Sequence, residues 1–124
     1  MKRYDTVIIG AGPAGIFTAL ELYRHRSPEY KVLIVDEGKN INSRACPARS
    51  KGECVRCNPC NIMSGWAGAG AFSDGKLSLS EEVGGNLTDY KPVNEVRELI
   101  KYADSVYMDF GAPKTVFGEG DKES

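Results

Sequence analysis

The apolar positions of this chain change their spacing several times, and each change marks an element. Val7-Ile8-Ile9, inside "YDTVIIG" (Tyr4–Gly10), is a continuous β-branched run that ends at a glycine. Such a run predicts a parallel strand buried on both faces. "AGPAG" follows, and the spacing becomes helical: Ile16, Ala19, Leu20 and Tyr23 share one face of a helix predicted from Pro13 to about Arg26. Pro13 suits the first helical position, where a missing N–H costs little. Ser27-Pro28 ends the helix, because the residue before a proline is disfavoured in the α region. "KVLIVDEG" (Lys31–Gly38) returns to a continuous apolar run and predicts a second buried strand. Strand, helix and strand in such quick succession form a right-handed βαβ unit.

Residues 39–62 show neither period. They are polar, contain proline and hold all four cysteines, so the expectation is an irregular segment ordered by something other than an apolar core. Residues 63–90 open on glycines and small residues. Leu77 and Leu79, with serines between and after, predict a short half-exposed strand, and Gly84-Gly85-Asn86 a turn. In residues 91–113, Val96, Leu99, Ile100, Ala103, Val106, Tyr107 and Phe110 recur at helical spacing, with Gly111 and Pro113 as the stop. That face suits core packing better than partner binding. The tail "GEGDKES" is polar and expected to be loose. The fold class is therefore α/β: a Rossmann-like βαβ unit with an irregular Cys/Gly-rich insertion. Two clear strands are too few for a doubly wound sheet, so the expectation is an incomplete domain cut from a longer protein.

Composition removes several function classes. At 124 residues, 41% hydrophobic, 27% charged and net charge -1, the chain is an ordinary globular sequence with no basic stripe for nucleic acid. No apolar run approaches a membrane span. "MKRYDTVIIGAG" has a basic start, but its apolar run is short and ends in glycines, as a strand does and a signal peptide does not. A cytoplasmic, reducing compartment is expected, in which the cysteines serve as thiols, metal ligands or catalytic groups.

The strongest chemical signal is Gly10-Ala11-Gly12-Pro13-Ala14-Gly15, a G-x-G-x-x-G that leaves a strand and opens a helix. Gly10 permits the tight turn, Gly12 lets a pyrophosphate approach the backbone, and Gly15 lets helix and strand pack closely. The helix N-terminus offers unpaired N–H groups and a partial positive charge. Asp36, at the end of the second strand, can accept from the adenosine ribose hydroxyls; its charge disfavours a 2′-phosphate and hence NADP at this site. Glu37 is the neighbouring candidate should the strand run one residue further. The fingerprint alone does not separate NAD from FAD.

Here a resemblance adds to the reading. "YDTVIIGAGPAGIFTALELYR…KVLIVDEG" resembles the N-terminal fingerprint of the two-dinucleotide-binding-domain flavoproteins, whose first βαβ unit binds FAD. "GWAGAGAFSDGKLSLSEEVGG" (Gly65–Gly85) and "FGAPKTVFG" (Phe110–Gly118) narrow it to a family of FAD-dependent dehydrogenases predicted from sequence. The resemblance implies a flavin-dependent oxidoreductase, with electron or hydride transfer, a small-molecule substrate and NAD(P)H as reductant, bound by a further domain. It also implies that the chain is the N-terminal part of an FAD-binding domain and that Gly68, Gly70, Ser73, Asp74 and Gly75 lie near the pyrophosphate and flavin; Trp66 reads as a packing residue, with stacking near the ring as the alternative. No residue is assigned as a catalytic acid or base; His25, the only histidine, reads as a surface residue, and Glu81-Glu82 as solvated.

The cysteines leave three readings open. Cys46, Cys54, Cys57 and Cys60, spaced C-x7-C-x2-C-x2-C, have the look of an iron–sulfur or zinc site. Cys57 and Cys60 can instead form a redox pair, with Arg56 lowering a thiol pKa. Free cysteines or a structural clip are the bland alternative. The competing function, an iron–sulfur or zinc-binding module that senses nucleotide without catalysis, follows from the first of these.

Overall fold

A computed structural model describes residues 1–73 and 75–114. Asp74, the second half of "FGAPKTVFG" and the polar tail lie outside the described residues. In chain order the elements are β1 (Thr6–Ile9), α1 (Pro13–His25), β2 (Val32–Val35), a single-turn α2 (Ala48–Lys51) and α3 (Val93–Asp109), with 3-10 turns at Ile41–Ser43, Gly68–Phe72 and Leu87–Asp89. They form two compact units, Met1–Gly75 and Lys76–Ser124.

In the first unit, β1 and β2 pair in parallel, in register from Thr6 opposite Val32 to Ile9 opposite Val35. The α1 crossover makes this the expected βαβ unit of an α/β fold. Its strand starts are laced together: Asp5 N–H donates to the Lys31 carbonyl, Lys31 N–H donates to the Asp5 carboxylate, and the Thr6 and Tyr30 hydroxyls meet at 2.6 Å. At the other end Gly10 N–H donates to the Val35 carbonyl at 2.7 Å. That bond sets the start of the glycine loop beside the end of β2.

The strands are not buried on both faces, as their unbroken apolar runs predict. Ile8 faces α1, but Val7 and Ile9 on the opposite face are 52% and 82% exposed. A two-stranded sheet with its helix on one side leaves the other side open to water. Tyr23 likewise stands 82% exposed, off the inward face of α1. Among the described residues the buried apolar side chains are only Ala11, Val96 and Val106.

In the second unit, α3 forms where the helical spacing places it, with Val96 and Val106 as its buried positions. Leu99 and Phe110 are exposed, so the inward stripe is narrower than the sequence pattern. Gly111, at φ +99°, closes the helix: its N–H donates to the Met108 carbonyl, and Ala112 N–H donates to that of Tyr107. Leu77 and Leu79 are not in a strand; residues 75–80 have no regular structure and both leucines are exposed. An isolated alternating segment without a partner has no ladder to hold it. Glu81 is not a solvated acid either. It accepts from both Nε and a terminal nitrogen of Arg97, which lowers its pKa and raises that of Arg97. No helix among the described residues is long and apolar enough to cross a membrane.

Candidate functional site: the glycine loop and its neighbours

The glycine loop turns at the carboxyl end of the sheet, and each glycine has a separate physical reason. Gly10 sits at φ +101°, a conformation L side chains rarely adopt. A Cβ on Gly15 would lie 2.0 Å from the Gly10 carbonyl oxygen and 3.3 Å from Ile8 Cγ2, so only hydrogen fits between helix and strand. Gly12 is different: a Cβ there would meet nothing within 4 Å. Its bareness is not required by protein packing; it leaves open space over the start of α1. Gly12 caps that helix without a side-chain bond, Pro13 occupies its first turn, and Ile16 N–H makes the first intrahelical bond to the Gly12 carbonyl at 3.0 Å. The first-turn N–H groups, that of Ala14 among them, have no partner within the helix. No acid neutralises the first turn, while Arg24 and His25 stand in the last one. His25 is exposed, as expected, with Nε2 3.3 Å from Glu21.

Asp36 is the first residue after β2 and faces this loop. Its Oδ2 accepts from Ala11 N–H and its Oδ1 from Gly38 N–H, both at 2.8 Å. These two bonds, first that to Ala11, hold the carboxyl below its ordinary pKa, helped by the Gly65 N–H and the charge of Arg44 and opposed by partial burial. An ionised carboxylate has about four acceptor positions, so capacity remains for a further hydroxyl. Glu37 turns elsewhere: its Oε1 accepts from the Ser64 hydroxyl at 2.8 Å. Because β2 ends at Val35, Asp36 rather than Glu37 holds the strand-end position.

Residues 61–68 lie against this cluster. Ala67 N–H donates to the Ala11 carbonyl at 2.8 Å, and a Cβ on Gly68 would sit 3.7 Å from Gly12 Cα. Gly38 and Gly65 pass closer still: a Cβ on Gly38 would be 2.2 Å from the Gly65 nitrogen. Ala67 adopts φ +65° to reach the loop, a strained backbone for a residue with a side chain. Of the other residues expected beside a cofactor, Gly70 has open space around it. Ser73 and Gly75 form a local exposed turn, the Ser73 hydroxyl donating to the Gly70 carbonyl and accepting from Gly75 N–H. Trp66 is 47% exposed, so its ring is only half packed.

Two contributors escape a reading of the sequence: Arg44 and Gly38. Arg44 is the buried charged residue of the described chain, and its guanidinium donates to four backbone carbonyls of the 61–68 segment. Gly38 and Gly65 are needed for close backbone passage; Gly65 belongs to a glycine-rich stretch suited to close approach, but nothing in the local sequence distinguishes Gly38 from an ordinary turn glycine.

The four cysteines are free thiols. Among the described residues, no three His, Cys, Asp or Glu side chains are grouped so as to hold a metal ion. Cys46 and Cys57 are half-buried, Cys54 and Cys60 exposed. The Met63 and Ile62 N–H groups push the Cys60 thiol pKa down, with a smaller contribution from Arg44. Arg56 has no such role on that thiol; it sits at φ +51° in the irregular stretch between Cys54 and Cys57.

No protein family matches the chain, and no solved structure does. The chain is similar to an uncharacterized protein of Clostridium beijerinckii, with 41% identity over 96 residues. The match takes in 77% of this chain but spans only 16% of the length of that relative.

Proposed function

We propose that this chain is the dinucleotide-binding portion of an FAD-dependent oxidoreductase of the Rossmann type. The observation that carries the proposal is the pairing of an open, side-chain-free helix start at Gly12 with an ionised carboxylate at Asp36, the two joined through the Ala11 N–H. A pyrophosphate needs backbone access and unpaired N–H groups, and a ribose needs a hydroxyl acceptor one strand away. Both are present on one edge of the unit, so the donor set fits an ADP-bearing cofactor.

In this reading Gly10, Gly12, Pro13, Ala14 and Gly15 shape the phosphate seat, and Asp36 orients the ribose. The Asp36 charge, kept by its backbone partners, repels a 2′-phosphate and selects against NADP. Gly68 lines the same seat from the second segment. FAD, when bound, supplies the hydride or electron transfer; the protein's share is to fix its position and exclude competing reactions. NAD(P)H and the small-molecule substrate would be engaged by further parts of a longer protein.

The experiment is the absorption spectrum of the purified full-length protein before and after NADH. Flavin bands that bleach on reduction are the expected outcome. A colourless preparation that takes up no FAD overturns the proposal.

A further inference from the structure

The nucleotide reading leaves one buried group without a task. Arg44 is 5% exposed, in a stretch with little apolar material to bury it. Its Nε donates to the Asn61 carbonyl at 2.9 Å, one terminal nitrogen to that of Trp66 at 2.7 Å, and the other to those of Ile62 and Gly68. The ring of Phe72 backs the guanidinium at 4.8 Å. All of these partners lie well downstream in sequence, so one side chain gathers the whole 61–72 segment. Two of the carbonyls, those of Trp66 and Gly68, flank Ala67, whose N–H grips the Ala11 carbonyl of the glycine loop. Gly65, which packs on Arg44 Cδ, presents its N–H to Asp36. The guanidinium therefore stands behind each point at which this segment meets the loop.

We propose that Arg44 is a positioning residue for dinucleotide binding: it seats the Gly65–Gly68 backbone against Ala11, Gly12 and Asp36, fixing the phosphate seat and the ribose carboxylate in one geometry. The inference rests on the dinucleotide reading above. Arg44 acts through the backbone it holds, because four of its N–H groups are taken up by carbonyls. Arginine is the residue this task requires. Its planar fork carries five donors and can span carbonyls from several directions, whereas a lysine ammonium has three donors at one point.

The test compares full-length wild type, Arg44→Lys and Arg44→Met for ADP affinity by calorimetry across pH, with amide exchange in parallel. Both variants should bind ADP roughly ten- to a hundredfold more weakly, the scale on which small displacements of a binding group act. Amides of residues 61–72 should lose protection while those of β1 and β2 keep it. The acid limb of ADP affinity should move to higher pH, because the Gly65 N–H and the Arg44 charge both help keep Asp36 ionised. The charged residues nearest Asp36 in sequence are Glu37, engaged by Ser64, and Lys39, and neither is altered. Wild type that does not bind ADP removes the dinucleotide reading, and the inference with it. Wild type that binds, with variants that bind equally well, overturns the inference alone. Loss of protection throughout β1 and β2 in Arg44→Lys also overturns it, since the guanidinium would then hold the whole unit.

Discussion

The glycine loop and the segment from Arg44 to Phe72 meet at one site but are held by opposite means. The loop is shaped by what its residues lack. Its tightest contact, Gly15 against the Gly10 carbonyl, exists because a Cβ is missing. The second segment is shaped by one large side chain, whose guanidinium collects carbonyls that have no ladder of their own. The loop is therefore sensitive to added atoms and the segment to removed ones. A buried backbone carbonyl must find a donor wherever it lies. In a stretch too polar for a core and without strand partners, one buried arginine is an economical way to supply several.

The largest effect expected from this contrast is in the loop. Gly15→Ala places a methyl between the Gly10 backbone carbonyl and the Ile8 side chain, and overpacking of this kind costs about 1–3 kcal/mol or more. Denaturant unfolding should show it, whereas Gly12→Ala, with open space around it, should leave the stability of the unit nearly unchanged while impairing ADP binding. Equal destabilisation by the two changes would remove the distinction drawn between these glycines. Next comes Phe72→Leu, which keeps apolar bulk but removes the ring under the guanidinium. The loss should be about 0.5–2 kcal/mol, seen as faster amide exchange in residues 61–72 with β1 and β2 unaffected. Ala67→Gly runs the other way. Relief of the positive φ, offset by the greater freedom of an unfolded glycine, should stabilise the unit by about 0.5–1 kcal/mol. A destabilised Ala67→Gly would mean that the methyl packs better than its half-buried surroundings indicate.

At Asp36 the effect depends on pH, and it has a sign. The folded pKa is depressed below the ordinary 3.8, so the unfolded chain binds the extra proton first as pH falls. The stabilisation is complete above the ordinary value and is lost as pH drops through the folded one. Asp36→Asn should flatten that acid limb. It should also forfeit one of the two backbone bonds, since an amide has one acceptor oxygen for the N–H groups of Ala11 and Gly38. An acid limb identical in the variant would assign the transition to other carboxylates.

What was legible in the sequence follows the same division. The βαβ unit, the turn at Gly10, the close approach at Gly15 and the helix stop at Gly111 are local consequences of residue type, and each stands where the pattern predicts. The burial of β1 on both faces was overestimated, because an unbroken Val-Ile-Ile run reports a preference for burial and not the presence of a covering layer. The strand at Leu77 and Leu79 fails for a related reason: alternation needs a partner strand to become a ladder. Nothing in residue type marks Arg44, because its partners lie 17 to 24 positions away and are backbone atoms. The regular cysteine spacing corresponds to no grouped metal-ligand set among the described residues, whereas the unmarked Arg44 holds the segment that follows the cysteines.

The most direct measurement is amide exchange on the protein with and without FAD. Binding at the proposed site should protect residues 10–16 at the start of α1 and residues 36–38 after β2, with a second zone at residues 65–68, and should leave α3 unchanged. Absence of any FAD-dependent protection at the glycine loop, or protection confined to the unit that contains α3, would contradict the dinucleotide-binding role.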